Sequence, residues 1–334
     1  MTKTFAGNFI TPMAVVAACL QGAAPTHAQT LAPPQTGIAA ITFHVDQAYP
    51  ESVAWSARQK TFFVGSLRKG TIGKVSLAGE YKPFAADKLM FGSGGIKYDA
   101  KRNWVWAALC DIGVSTQSSP STQGKTAAII AFDATTGRKK RYIDLAPLTE
   151  GGRCANDLAF DPKGNIYVTD SFAPVVYVID RHFKPRVLVR SEKFQGDNFN
   201  LNGIAYHPDG FLLVGKHSTG EFFRIALKPQ VEVHSISLSA NLPGADGIDL
   251  IGKDSLVVAQ NGGVDRAVQL TSADGWKTAQ VQELGKSTVS FPTAVTSNGK
   301  DVYMLNNRVD TLIDPAAQKV SEYVLQRVPV GDSK

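Results

Sequence analysis

Long stretches with apolar residues at helical three-and-four spacing are missing from this 334-residue chain, which argues against a helical fold. Aromatic residues are sparse, at 9%, so the interleaved basic and aromatic stripe of a nucleic-acid surface has little to draw on. The net charge of +6 is scattered along the chain. Its one dense run, Arg138-Lys139-Lys140-Arg141, follows Thr136-Gly137 and reads as a solvated hairpin turn. No nucleic-acid partner is expected. No apolar run reaches the ~20 residues needed to cross a bilayer, so no transmembrane anchor is expected either. Cysteine is scarce, with only Cys19, Cys110 and Cys154. Glycine and proline are not: 30 and 17 of them suit a chain with many tight turns. The 43% hydrophobic content is enough to bury a large core, and all-β chains of this length often form one domain.

Residues 1–28 read as a secretory signal peptide, with Lys3, an apolar run from Met13 to Ala24, and Thr26-His27-Ala28 ahead of Gln29. A second reading takes Val16-Ala17-Ala18-Cys19 as a lipoprotein box lipidated at Cys19. Both send the protein out of a bacterial cytoplasm, to the periplasm or beyond. Residues 29–38, with Pro33 and Pro34, read as an extended linker, and residues 329–334 as a flexible tail.

Between these ends one phrase recurs. Asn156-Asp157-Leu158-Ala159-Phe160, the turn Asp161-Pro162-Lys163-Gly164-Asn165, and Ile166-Tyr167-Val168 form a hairpin, because proline fixes φ and glycine and asparagine tolerate left-handed geometry. Variants of the same hairpin place Glu51, Gly94, Asn156, Asn202, Asp246 and Thr293 at one equivalent position, at intervals of 43, 62, 46, 44 and 47 residues. Six several-stranded units with a period of roughly 40–50 residues predict an all-β, six-bladed β-propeller over residues 39–328. The one long interval holds a polar insertion, Val114 to Gly124. Ile41-Thr42-Phe43-His44-Val45 is expected to pair with the edge of the last blade and close the ring.

Equivalent innermost residues of a propeller converge on its axis. Glu51, Asn156, Asn202 and Asp246 would then present two carboxylates and two amide carbonyls, hard oxygen donors that suit Ca²⁺, Mg²⁺ or Mn²⁺ better than a thiolate zinc site. Gly94 and Thr293 leave one side of that ring open, as metal-assisted hydrolysis requires. Taken singly, each of these residues is an ordinary strand-entry or turn residue; it is their shared repeat position that points to a site.

Pro50-Glu51-Ser52-Val53-Ala54-Trp55, Asn156-Asp157, Asn202-Gly203 and Asp246-Gly247, in that order and spacing, resemble the regucalcin/gluconolactonase family of six-bladed propellers. Paraoxonases and diisopropylfluorophosphatase are similar in layout but more distant. The resemblance runs from about Tyr49 to Leu325. It implies one divalent cation, Ca²⁺ foremost with Zn²⁺, Mn²⁺ or Mg²⁺ as alternatives, held by Glu51, Asn156, Asn202 and Asp246. It also implies a small-molecule substrate, a sugar lactone or related ester, contacted by Asp157 and by an arginine shortly before it. Arg153 matches that arginine with one extra residue between. A histidine pair of the paraoxonase kind is not matched, since Gly94 stands at that position.

The second strand of each blade runs back toward the face that bears the ring, so its last residues are expected at the pocket rim. They include Asp170, Lys216, His217, Gln260, Asn261, Asn306 and Asn307. His217 suits general acid or base chemistry, though it also reads as a surface turn histidine. Lys216 suits oxyanion stabilisation, or plain solvation at the rim. Asp246 and Asp157 are the candidates to orient or deprotonate water. The insertion leaves from the same face, in position to act as a lid. Cys110 and Cys154 fall at strand ends of neighbouring blades, where either a disulfide or two buried thiols fits. Three functions follow as expectations: a monomeric, metal-dependent lactonase or esterase; a non-catalytic ligand- or partner-binding propeller with a structural cation; or a phosphotriesterase-like hydrolase.

Overall fold

Phe62-Phe63-Val64 shows how one strand serves two interfaces. Successive side chains of a strand point to opposite faces, so Phe62 and Val64 pack toward the last blade while Phe63 packs toward the second. The same alternation sends Leu213 and Leu212 in opposite directions. Repeated round the chain, it yields six apolar clusters, one between each pair of neighbouring blades. The core of the protein is therefore a ring of inter-blade contacts around a polar axis.

The structure is a computed structural model that describes residues 40–330. The signal peptide, Cys19, the linker of residues 29–38 and residues 331–334 of the tail lie outside the described residues. From the axis outward, the first blade is Pro50–Ser56, Thr61–Ser66, Thr71–Ser76 and Tyr81–Ala86. The innermost strands of the next five are Gly92–Asp99, Arg153–Phe160, Leu201–His207, Ala245–Gly252 and Pro292–Ser297, each followed by antiparallel partners. The fold is the six-bladed β-propeller that the repeats predict.

Ala40–His44 pairs antiparallel with Glu322–Val328, from Ala40 opposite Gln326 to His44 opposite Glu322. The first described strand is thus the outermost strand of the last blade, and hydrogen bonds between these two segments close the ring. Tyr323 reinforces the closure, its hydroxyl accepting from the Tyr49 N–H at 2.9 Å. The outer strands of the fourth and fifth blades also meet, in a short parallel pairing of Ser237 and Leu238 with Thr278 and Ala279. Among the described residues, no helix is long and apolar enough to cross a membrane.

Candidate functional site

All six innermost strands break register at the same place. The pairing with the second strand slips between Pro50 and Ser52, Ser93 and Ile96, Ala155 and Leu158, Leu201 and Ile204, Ala245 and Ile248, and Pro292 and Ala294. A bulge re-aims the side chain it carries. The residues lifted out of register are the repeat column itself: Glu51, Gly94, Asn156, Asn202, Asp246 and Thr293. Two glycines follow from the crowding this creates. A Cβ on Gly203 would stand 2.6 Å from the Asp246 carbonyl oxygen, and one on Gly247 would stand 2.6 Å from that of Thr293. Gly95 leaves the room that the Asp157 carboxylate fills, since a Cβ there would sit 2.1 Å from Asp157 Oδ1.

Glu51, Asn156, Asn202 and Asp246 come together at a waist between two spaces. Above them opens a cavity of about 580 Å³, lined also by Gly94, His217, Asn261, Thr293 and the Cys110–Cys154 pair. Below them lies a space of about 10 Å³, enough for a single water, bounded by Ser52, Gly95, Lys97, Asp157 and Ile248. Among the described residues, no three or more His, Cys, Asp or Glu cluster in a way that could hold a metal. A cation at the waist would therefore draw on both amides as well as both carboxylates. Thr293 does not simply leave a gap, because its hydroxyl donates to the Glu51 carbonyl at 2.7 Å.

The electrostatics of the waist are unbalanced. Glu51 Oε2 and Asp246 Oδ1 are buried without any hydrogen-bond partner. Burial first, then the negative charges of Asp246 and Asp157, push the Glu51 carboxyl well above the usual carboxylate range. Burial outweighs the hydrogen bonds from Asn261 and Asn202 and pushes Asp246 up to about 7. Just beneath, Lys97 Nζ lies 3.5 Å from Asp157 Oδ2 and donates to the Ile248 carbonyl at 3.4 Å. Burial alone would lower the Lys97 pKa, but the Asp157 and Asp249 carboxylates outweigh it and raise it, so the ammonium stays charged. Four carboxylates, buried Asp157 and Asp246 and half-buried Glu51 and Asp249, thus share one half-buried ammonium among the described residues.

His217 joins the waist through one intermediate. Asn261 Nδ2 donates to Asp246 Oδ2 at 2.7 Å, and Asn261 Oδ1 lies 2.9 Å from His217 Nε2. With its amide nitrogen committed to the carboxylate, Asn261 can only accept from the ring. That fixes the Nε2–H tautomer and leaves Nδ1 as the acceptor nitrogen. Burial lowers the His217 pKa, so the ring is neutral near pH 7.

Four expected substrate contacts sit elsewhere. Asp157 lies below the waist, accepting from the Leu158 N–H at 2.8 Å and the Ile204 N–H at 3.3 Å, away from the large cavity. The Arg153 guanidinium turns back to the Ala146 and Thr149 carbonyls. Asp170 Oδ1 accepts from the Cys154, Phe172 and Ala173 N–H groups, and Oδ2 from the Tyr177 hydroxyl. Lys216 Nζ donates to the Lys193 and Gln195 carbonyls at 3.2 and 2.9 Å. None of the four lines the cavity. None of residues 114–124 of the insertion lines the cavity. The Thr116 N–H donates to the Arg68 carbonyl at 2.9 Å, and the hydroxyls of Ser118 and Thr122 bind the two oxygens of Asp111. Cys110 and Cys154 are joined in a disulfide. Lys97 and Asp249 had no part in the sequence reading; the signal for both is a charge three residues after the column position, within an innermost strand.

No protein-family model matches the chain, and no curated protein matches it in sequence. Solved structures do match it in fold. The allergen Mala s 1 of Malassezia sympodialis is 17% identical with a TM-score of 0.69, over 87% of this chain and 96% of that one. A gluconolactonase of Xanthomonas campestris is 14% identical with a TM-score of 0.59, over 91% of this chain and 94% of that one. A luciferin-regenerating enzyme is 15% identical with a TM-score of 0.59, over 88% and 96%. The likeness to gluconolactonase-like propellers holds at the level of the fold, and fold by itself assigns no reaction.

Proposed function

We propose that the chain is a divalent-cation-dependent hydrolase that opens a lactone or cleaves a related ester. The observation that carries this reading is the waist, where two orphaned, buried carboxylate oxygens and two amides face the floor of a ligand-sized cavity. The donor set fits a hard cation, Ca²⁺ before Mn²⁺, Mg²⁺ or Zn²⁺, held by Glu51, Asn156, Asn202 and Asp246. A cation in that position supplies Lewis-acid polarisation of an acyl oxygen.

The chain's own residues divide the remaining work. Asn261 ties Asp246 to His217 and holds the imidazole neutral, with Nδ1 ready to accept a proton. A water attacking the acyl carbon gives its proton to that nitrogen. As the bond to the leaving oxygen breaks, the imidazolium returns the proton to it. Lys97, engaged with Asp157 below, balances part of the buried charge and takes no part in the chemistry. Asp157 supports the waist from beneath. The leader pattern of residues 1–28, together with the disulfide, supports a periplasmic or secreted protein.

The test is chelation, then titration with Ca²⁺, Mn²⁺, Mg²⁺ and Zn²⁺, read on sugar lactones, aliphatic lactones and phosphotriesters. Glu51→Gln should weaken cation binding by about 100-fold by calorimetry and remove turnover. Full activity in excess chelator, or in Glu51→Gln, refutes the hydrolase reading. Tight cation binding without turnover of any substrate favours the non-catalytic propeller.

A further inference from the structure

The large cavity has a mixed lining. Much of it is apolar, from Leu67, Ile112, Phe199, Phe291, Val309 and Ile313 and the Cys110–Cys154 disulfide. A polyhydroxylated substrate would leave its hydroxyls unpaired against those side chains, at a cost of about 1–3 kcal/mol for each one buried. Among the described residues the cavity also carries four carboxylates, Glu51, Asp246, Asp265 and Asp310, and no lysine or arginine. A divalent cation at the waist answers the first two. Asp265 and Asp310 remain, and among the described residues neither makes a salt bridge.

A separate observation marks their corner as built for a ligand. Asn307 is fully buried, lines the same cavity, and has no hydrogen-bond partner on either its amide nitrogen or its amide oxygen. Asp265 Oδ1 is likewise buried and unpartnered. Asp310 accepts from the Ser290 hydroxyl at 2.9 and 3.0 Å, which leaves capacity on both oxygens. Buried polar atoms are almost always satisfied, so Asp265 Oδ1 and Asn307 Oδ1 lack a donor and Asn307 Nδ2 lacks an acceptor, a need that an ammonium and an ester oxygen together would meet. Burial and then the Asp310 charge raise the Asp265 pKa, outweighing the Phe291 and Gly263 N–H groups and the more distant Lys286 charge. The backbone here is held in left-handed geometry at Asp265, Phe291 and Arg308 (φ 47, 61 and 62°), a conformation that non-glycine residues adopt at some cost.

We infer that the cavity takes an amphipathic cation: an ester or lactone whose apolar body lies against the apolar lining and whose protonated amine is held by Asp265 and Asp310, with Asn307 accepting through its amide oxygen. The inference deepens the hydrolase reading by naming its substrate class. Its test reads binding, so the two can fail separately. Phenethylammonium, phenethyl alcohol and 3-phenylpropionate share an apolar body and differ in charge. Titrated calorimetrically into the Ca²⁺-supplemented protein, the ammonium should bind at least about tenfold more tightly than the alcohol, with the carboxylate weakest. In the Asp265→Asn/Asp310→Asn variant that advantage should shrink to within about threefold, while the alcohol binds as before. In Glu51→Gln, which tests the hydrolase reading, the advantage should persist. The inference is overturned if none of the three binds the wild-type protein, if the alcohol or carboxylate binds as tightly as the ammonium, or if the preference survives in the double variant. The wild-type comparison stands even where the double variant folds poorly.

Discussion

Asp246→Asn should make the cation-free protein more stable at neutral pH, although it removes a proposed ligand. The Asp246 carboxyl is raised from 3.8 to about 7 in the folded chain. A carboxyl raised on folding binds more protons folded than unfolded between those values, so stability falls as pH climbs through that window and levels off above it. At about 1.4 kcal/mol for each power of ten in acidity, the Asp246 contribution reaches ~4 kcal/mol above pH 7. The Glu51 shift acts in the same direction. Asparagine keeps a side-chain oxygen to accept from Asn261 and carries no charge to bury. In excess chelator, wild type and Asp246→Asn should melt together near pH 4 and diverge as pH rises, the variant melting higher at pH 8 by up to roughly 10 °C. Ca²⁺ should close the gap, since only the wild type gains the full binding term: ~2.7 kcal/mol at 100 times Kd narrows it, and the order reverses only beyond about 1,000 times Kd, where the term passes ~4 kcal/mol. Differential scanning calorimetry from pH 4 to 8, with chelator and with Ca²⁺, reads both. A cation-free wild type that melts as high as Asp246→Asn at pH 8 would refute the burial of an uncompensated carboxylate at the waist.

Two further outcomes follow from the cavity. His217→Gln should lower kcat by about 10²–10⁴-fold with cation affinity unchanged. Because burial holds the wild-type ring below its ordinary 6.5, wild-type activity at saturating cation should fall below that pH as the imidazole protonates, and the His217 share of this acidic limb should vanish in the variant. Replacing Cys110 and Cys154 together by serine opens a loop spanning 44 residues, which should cost up to ~4 kcal/mol, read as a lower melting temperature that matches the wild type in reductant.

The ring of blades was legible because each repeat carries its own hairpin, with turn chemistry and strand period printed locally. The waist was legible for the same reason, since Glu51, Asn156, Asn202 and Asp246 hold one position in a linear repeat. The bulges that turn these residues inward were not, because a slip in register leaves no mark on residue type. Arg153, Asp170 and Lys216 were misplaced for a different reason. Each has a side chain whose direction is settled by backbone groups outside the hairpin rule, such as the Ala146 carbonyl for Arg153 and the Gln195 carbonyl for Lys216. Lys97 and Asp249 stood in plain sight as charges within buried strands, and only the channel geometry makes them neighbours.

The seam between Ala40–His44 and Glu322–Val328 bears on synthesis. Tyr49 and Tyr323 stand 274 residues apart in sequence, and the ribosome must release almost the whole chain before they can meet. Every oxygen at the waist has been translated well before that moment, yet none can hold its place on the axis while the circle gapes. A nascent or truncated protein stopping short of Glu322 should therefore neither retain a cation nor survive a protease, and the waist comes into being only with the last strand.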